Sequence, residues 1–279
     1  MLIDAHVHVF PPGLVRARAR LCSIDPYFAA LYSPRARMVG IEELLASMDD
    51  AGVDQSVVAG FGWCDLGICR EHNAYIAEAV AAHPGRLIGL ATANPRDRDA
   101  AEKELVRALE AGLKGIGELM PDAGQYAVDE PSIADMLGAL AVQYGVPLLL
   151  HVSEPLGHAY PGKGTVALEQ VVRLAERQPA VSIVCAHWGG GLPFYELMPE
   201  VARALQNVYY DTAAWPFLYH DRIFAAGAYM APGKVIFATD YPLVSQSKAL
   251  ARVRASGISD EALAGVLGGT ARRIYGGHP

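Results

Sequence analysis

Apolar positions along the 279-residue chain recur with two periods. Short runs rich in Val, Ile and Leu, at residues 1–9, 55–61, 87–94, 113–120, 146–153, 182–188, 208–214 and 235–241, read as eight strands. Segments with helical spacing and plenty of Ala, Leu and Glu lie between them, over 41–51, 71–83, 97–111, 132–144, 166–178, 194–205 and 218–227. Residues 247–256 and 260–275 read as helices after the eighth strand. Gly52, Gly112 and Gly145 follow predicted helix ends, where a left-handed residue turns the chain back. The fourth, fifth and eighth strands are apolar on both faces, as expected where helices cover one side and a barrel interior the other. Eight β-then-α units in order predict an α/β fold, a (β/α)8 TIM barrel rather than an open doubly wound sheet. No GxGxxG follows the first strand, which weighs against dinucleotide binding.

Length alone gives a soft prior of about two domains, but a barrel of about 250 residues is normally one. No composition shift, repeat or low-complexity linker divides the chain, so a single domain over 1–279 is expected. Residues 11–40 are the irregularity, too long for an ordinary βα loop. They leave the C-terminal end of the first strand, where barrel active sites are built, so an insertion over the mouth is expected.

Composition narrows the function. Apolar types make up 52% of the chain, enough for a large core, and 30 acidic against 23 basic residues leave a net charge of −7. That balance, with no basic run beyond residues 16–20, argues against nucleic acid as a partner. The uncharged stretches 136–153 and 178–195 are interrupted by Gly and Pro, so no membrane span is expected. No basic-then-apolar leader opens the sequence, and Cys22, Cys64, Cys69 and Cys185 form neither a CxxC pair nor a disulfide-like framework. A cytoplasmic enzyme acting on a small molecule is the expectation, with monomer or homodimer left open.

The chemistry concentrates at strand ends. In Asp4-Ala5-His6-Val7-His8 the two histidines stand at i and i+2, which share one face of a strand and form a rigid chelate. The fifth strand ends in His151, the sixth in His187 and the eighth in Asp240, each directly after an apolar run. Buried His and Asp need partners, and a shared divalent cation supplies them together. Imidazoles with a carboxylate suit Zn2+ best, with Mn2+, Fe2+ or cobalt as alternatives.

These residues, with the words Cys185-Ala186-His187-Trp188-Gly189-Gly190-Gly191, Thr239-Asp240-Tyr241-Pro242 and the closing segment 269–276, resemble the amidohydrolase superfamily. The closest likeness is to its amidohydrolase-related group, which includes aminocarboxymuconate-semialdehyde decarboxylase and lactone hydrolases. The resemblance implies that His6, His8, His151 and Asp240 hold one metal ion, that Asp240 is also the general base, and that His187 polarises the substrate. In the fourth strand Gly117 stands where the group commonly has a lysine, and Glu118 follows it. Strand parity sends Ile116, Glu118 and Met120 to one face. In other branches, such as the TatD-like nucleases, a strand-4 Glu is a metal ligand. Glu118 is therefore expected either as a ligand or as a carboxylate bonded to a ligating His, and a bridging Glu118 would admit a second ion on His151 and His187. His158 and Lys163, in the loop after the fifth strand, are candidates for an anionic group on the substrate. Trp63, Trp188, Trp215 and Tyr241 are candidates for an apolar wall. His72, His83, His220 and His278 have no strand-end context and read as ordinary helix or terminal residues.

The reading is a metal-dependent hydrolase of a lactone, amide or ester, by attack of metal-bound hydroxide. Its alternative is a non-oxidative decarboxylase of an aromatic or muconate-type acid. Such decarboxylases in the group grip the carboxylate with an Arg, for which Arg16, Arg18, Arg20, Arg35, Arg37 and Arg70 are available. A non-catalytic ligand-binding barrel would be expected to have lost a ligand, and none is missing.

Overall fold

A computed structural model describes residues 1–276, and His278 lies outside them. Among the described residues, eight strands alternate with helices: β1 (Ile3–His8), β2 (Gln55–Ala59), β3 (Leu87–Gly89), β4 (Ile116–Leu119), β5 (Leu148–Leu150), β6 (Ile183–Cys185), β7 (Val208–Asp211) and β8 (Val235–Ile236). β1 to β3 pair in order, as do β4 to β8, all parallel. Ala91 bridges Ile116 at one seam, with the Gly117 amide donating to the Ala91 carbonyl (2.8 Å). Val7 bridges Tyr241 at the other, where His8 N donates to Tyr241 O (2.7 Å) and Asp240 N to His6 O (2.9 Å). These bonds close the two sheets into the barrel that the β-then-α order predicts.

Two apolar layers follow from the strand pleat. Ile3, Ala5, Val57, Ala59, Leu149, Val184, Ala186, Ile236 and Ala238 pack into the barrel interior, together with Ala271, Ile274 and Tyr275 of the C-terminal helix Thr270–Tyr275. Their alternate neighbours, among them Leu148, Leu150, Cys185, Tyr210 and Phe237, pack outward against helix residues such as Leu44, Leu105, Leu137 and Leu174. Each buried Leu, Ile or Phe in these layers contributes roughly 1.5–3 kcal/mol relative to its exposed state.

Parity breaks at two strands. In β1 the register shifts between Asp4 and Val7, so Ile3 and Ala5 face inward and His6 and His8 do too. In β4 three steps from Ile116 to Leu119 match two from Leu148 to Leu150. Ile116 consequently packs in the outer layer while Glu118 turns into the barrel, and the single shared face expected for Ile116 and Glu118 is corrected. A β-bulge of this kind re-aims a side chain. Gly117 is required there: its φ is +147°, and a Cβ would lie 2.5 Å from the Leu149 carbonyl oxygen.

The helices keep the expected order with shifted ends. Ile41–Ala51 and Pro131–Tyr144 end at left-handed Gly52 and Gly145 as expected. The helix expected from residue 71 begins at Leu66, because the Asp65 carboxylate caps the amide of Ile68. The helix expected over 194–205 is two, Leu192–Tyr195 and Pro199–Ala204, since Pro199 cannot continue a preceding turn. Residues 11–40 contain three short helices, Pro12–Arg16, Arg18–Ile24 and Pro26–Leu31. Leu14, Leu21, Phe28 and Met38 from this segment join Phe10, Phe61, Trp63 and Met120 in a separate apolar cluster. No helix among the described residues is long and apolar enough to cross a membrane.

Candidate metal centre

The strand ends converge on one buried cluster. His6, His8, Glu118, His151 and His187 are all at most 7% exposed, and Asp240 is the more open member, its side chain 15% exposed. Each histidine has one ring nitrogen anchored. His6 Nδ1 donates to Asp211 Oδ2 (2.9 Å), and His8 Nδ1 to Gly60 O (3.0 Å). His151 Nε2 donates to Gly162 O (2.9 Å), and His187 Nδ1 to Ala213 O (3.1 Å). Carbonyls only accept, so these contacts assign the tautomers and turn the lone-pair nitrogens toward one another.

The inward atoms form two groups, His6–His8–Asp240 and Glu118–His151–His187, each within 4.8 Å. His6 Nε2 lies 3.0 Å from His8 Nε2, and His8 Nε2 lies 3.4 Å from Asp240 Oδ1. His151 Nδ1 lies 2.8 Å from Glu118 Oε1 and 3.2 Å from His187 Nε2. Glu118 sits between the groups: its Oε2 is 3.6 Å from His6 Nε2 and 3.4 Å from His8 Nε2. Lone-pair nitrogens and carboxylates at these separations, with the outer nitrogens held by carbonyls and a carboxylate, fit a divalent cation of the zinc or manganese kind.

Electrostatics bind the side chains of the cluster to one another. Burial is the largest influence on each group and opposes its charged form. It is overcome at Glu118, where His6 and His151 hold the carboxyl well below its usual range. Reciprocally, Glu118 with Asp211 raises His6 well above the ordinary histidine value, and Glu118 raises His151. Burial and the neighbouring His151 push His187 down.

A cavity of about 310 Å³ opens above the cluster. His8, Glu118, His151, His187 and Asp240 form its floor, and Phe61, Met120, Pro242 and Leu243 line it with Leu31, Tyr32, Arg35, Ala36 and Arg37 of the 11–40 segment. Among the expected arginines, Arg35 and Arg37 thus reach the cavity, Arg37 also pairing with Glu43 at 3.2 Å. Arg70 pairs instead with buried Glu104, and Arg18 bonds within its own segment to Pro34 O and Met38 Sδ. Tyr32 is half-buried, and desolvation together with negative Asp240 and Glu118 raises its hydroxyl well above the ordinary value, keeping it a donor.

The structure does not bring the expected aromatic wall to this cavity. Trp63 is buried beneath it, its Nε1 donating to His72 Nδ1 (3.0 Å). Trp188 and Trp215 pack on Phe224, and Trp215 Nε1 donates to Asp221. Tyr241 is buried with its hydroxyl donating to Glu43 O (3.3 Å). Their strand-end positions fall on the outer side of the mouth, where helices cover them. His158 is exposed, and Lys163 Nζ donates to Leu156 O and His158 O and pairs with Glu154 (3.4 Å), fastening its own loop. His72 is a buried helix residue with both nitrogens satisfied, and His220 is exposed.

Sequence reasoning missed Asp211 at the end of β7. This fully buried carboxylate accepts from His6 Nδ1 and from the amides of His187 (3.0 Å) and Ala213 (2.9 Å). The signal was available: Tyr210-Asp211 is another titratable residue closing an apolar strand.

Residues 3–277 match the family model described as amidohydrolase. No curated protein matches the chain. Among solved structures, the fold is similar to that of 5-carboxyvanillate decarboxylase from Sphingomonas paucimobilis, with 22% identity, TM-score 0.78 and 98% of each chain covered. It is also similar to 2,6-dihydroxybenzoate decarboxylase from Rhizobium, with 19% identity, TM-score 0.76 and 99% of this chain and 98% of that one covered. A third likeness is to dihydroxybenzoic acid decarboxylase from Polaromonas, solved with manganese and 2-nitroresorcinol, with 18% identity, TM-score 0.76 and coverages of 99% and 96%. At these identities the likeness speaks to the fold.

Proposed function

The chain belongs to the amidohydrolase family, and from that premise we propose that it is a metal-dependent decarboxylase of a small aromatic acid. The observation that carries this reading is the cavity: a metal-ligand floor, apolar walls and two arginines, in about 310 Å³, room for a single substituted ring. The decarboxylases of similar fold support it.

A bound divalent cation supplies positive charge that holds an oxygen-bearing substrate and stabilises negative charge developing on it. The rest falls to the chain. Arg35 and Arg37 orient the carboxylate, and Phe61, Met120 and Leu243 flank the ring and exclude water. Tyr32 donates a hydrogen bond from above. When the bond between ring and carboxyl carbon breaks, its electron pair stays on the ring carbon, CO2 leaves, and a proton must arrive at that carbon. Asp240, the carboxylate most open to the cavity, delivers it after taking it from water, and the hydroxide left behind combines with the released CO2 as bicarbonate.

Hydrolysis of a lactone, ester or amide is the second reading. Glu118 favours it, since a carboxylate among four imidazoles adds ligand capacity beyond a single ion. There Asp240 would accept the proton of the attacking water, and His187 would face the substrate oxygen.

Protein reconstituted with Mn2+ or Zn2+ is to be offered hydroxybenzoates and carboxylated methoxyphenols beside lactones, esters and amides. CO2 release with a matching loss of acid supports decarboxylation. Acid release without CO2 moves the assignment to hydrolysis. Asp240→Asn should lower turnover about 10²–10⁴-fold under either reading.

A further inference from the structure

We propose that a second cavity, beside Lys248 at the barrel mouth, is a substrate subsite that takes a carboxylate at the end of an arm on the ring, so that the substrate is a diacid. This deepens the reading above and rests on it for the first acid group, the one held in the inner cavity.

Two cavities meet at the mouth of the barrel. The outer one, about 360 Å³, has Phe217, Lys248 and Arg252 in its lining, the two cations coming from the helix Gln246–Arg254. It shares Arg37, Pro242 and Leu243 with the inner cavity, so these three residues stand between the two. They make a threshold and not a seal, since Leu243 is 57% exposed and the Arg37 side chain 58%. A ring seated over the strand ends can therefore send a substituent past Leu243 into the outer space.

Charge decides what that substituent carries. Arg37, Lys248 and Arg252 line the outer cavity, and among the described residues no Asp or Glu does. Two of the three cations are already engaged. Arg252 donates to Asp221 from Nε (3.1 Å) and Nη2 (2.6 Å) and lies over the Trp215 ring, 5.5 Å from its centroid. Arg37 pairs with Glu43 (3.2 Å) and lies over the Tyr241 ring at 5.8 Å. These contacts hold and neutralise both guanidiniums. Lys248 is exposed and forms no ion pair among the described residues, so its ammonium is the uncompensated charge. One free cation calls for one anion. Phe217 and Leu243, both more than half exposed beside it, supply apolar cover that a bare inorganic anion would leave unused. An apolar arm ending in a carboxylate uses both features.

The test compares arms of equal size and different charge. Mn2+-loaded protein is to be titrated with 2-hydroxybenzoate, with the same acid bearing a carboxypropyl arm at each open ring position in turn, and with the carboxamides of those arms. Isothermal titration calorimetry reads binding whether or not turnover follows. In the set, the best carboxylate arm should bind roughly threefold to tenfold tighter than its carboxamide, as expected of one partly exposed ion pair, and salt should shrink the advantage. Lys248→Ala should bring that ratio to about one, and Lys248→Glu should favour an aminopropyl arm instead. Equal binding of carboxylate and carboxamide arms throughout the set overturns the subsite, as does a preference that survives Lys248→Ala. A Lys248-dependent preference without CO2 release supports the subsite while removing decarboxylation. CO2 release from 2-hydroxybenzoate with no preference among the arms does the reverse.

Discussion

His72 lies under the site without belonging to it, and its chemistry has a measurable consequence. Its Nε2 donates to Val9 O (2.7 Å) and its Nδ1 accepts from Trp63, so a second proton would have nowhere to go. Burial pushes its pKa down from 6.5 to about 4. The unfolded chain therefore binds this proton more readily than the folded one between those values. Stability from this residue is complete above about 6.5 and is lost as pH falls toward 4, by about 3 kcal/mol in all. In an imidazole NMR titration of chelator-treated protein, His72 should stay neutral at pH 5; a midpoint near 6.5 would show that the site is looser than this packing. Gly117 offers a second check at this scale. Gly117→Ala must move the Leu149 carbonyl or straighten the bulge, and metal retention should drop with it.

At the scale of elements, the fold was legible wherever one residue's environment depended on its own strand or helix. The eight apolar runs became the eight strands, and Gly52 and Gly145 ended helices in the left-handed region. His6, His8, Glu118, His151, His187 and Asp240 were legible as a group because an apolar run ending in a titratable side chain is an unusual pattern to bury. The bulge in β4 was not, because it comes from pairing with β5 and leaves the alternation of Ile116 and Glu118 looking regular. Nor could the sequence tell which strand-end aromatics face the cavity; Trp63, Trp188, Trp215 and Tyr241 lie just past strand ends, where parity no longer fixes direction. The 11–40 segment was recognised by length alone, and its contribution came from packing. Phe28 stacks on Tyr32 (4.9 Å between centroids) and meets Trp63 (4.7 Å) and Phe61 (5.3 Å). Phe28→Ala should cost about 3–5 kcal/mol locally and free Tyr32, Arg35 and Arg37 from the cavity wall. Faster proteolysis within 11–40 and a KM that rises more than kcat falls are the expected readouts; unchanged KM would remove the segment from substrate binding.

For the whole molecule, the proposed cation binding would be coupled to barrel closure. The candidate ligands come from strands at both ends of the chain, and the seam between β1 and β8 is hydrogen-bonded through those same residues, His8 N to Tyr241 O and Asp240 N to His6 O. An ion that binds only the closed barrel stabilises it by about 4 kcal/mol at a thousandfold excess over Kd. Stripping the metal should therefore lower the unfolding midpoint, and the recovery on reloading should grow with cation concentration; a midpoint indifferent to chelator would separate the two events. The same seam sets a timetable during synthesis. At about 5–20 residues per second, the segment carrying His6 and His8 waits roughly 10–50 s on the ribosome before its partner at 235–241 is made. Throughout that interval one edge of β1 lacks its neighbour, and the ligands of Asp240's group are incomplete. Until residues 235–241 are made, His6 and His8 have no Asp240 beside them, so the site can be finished only when the last strand joins the first.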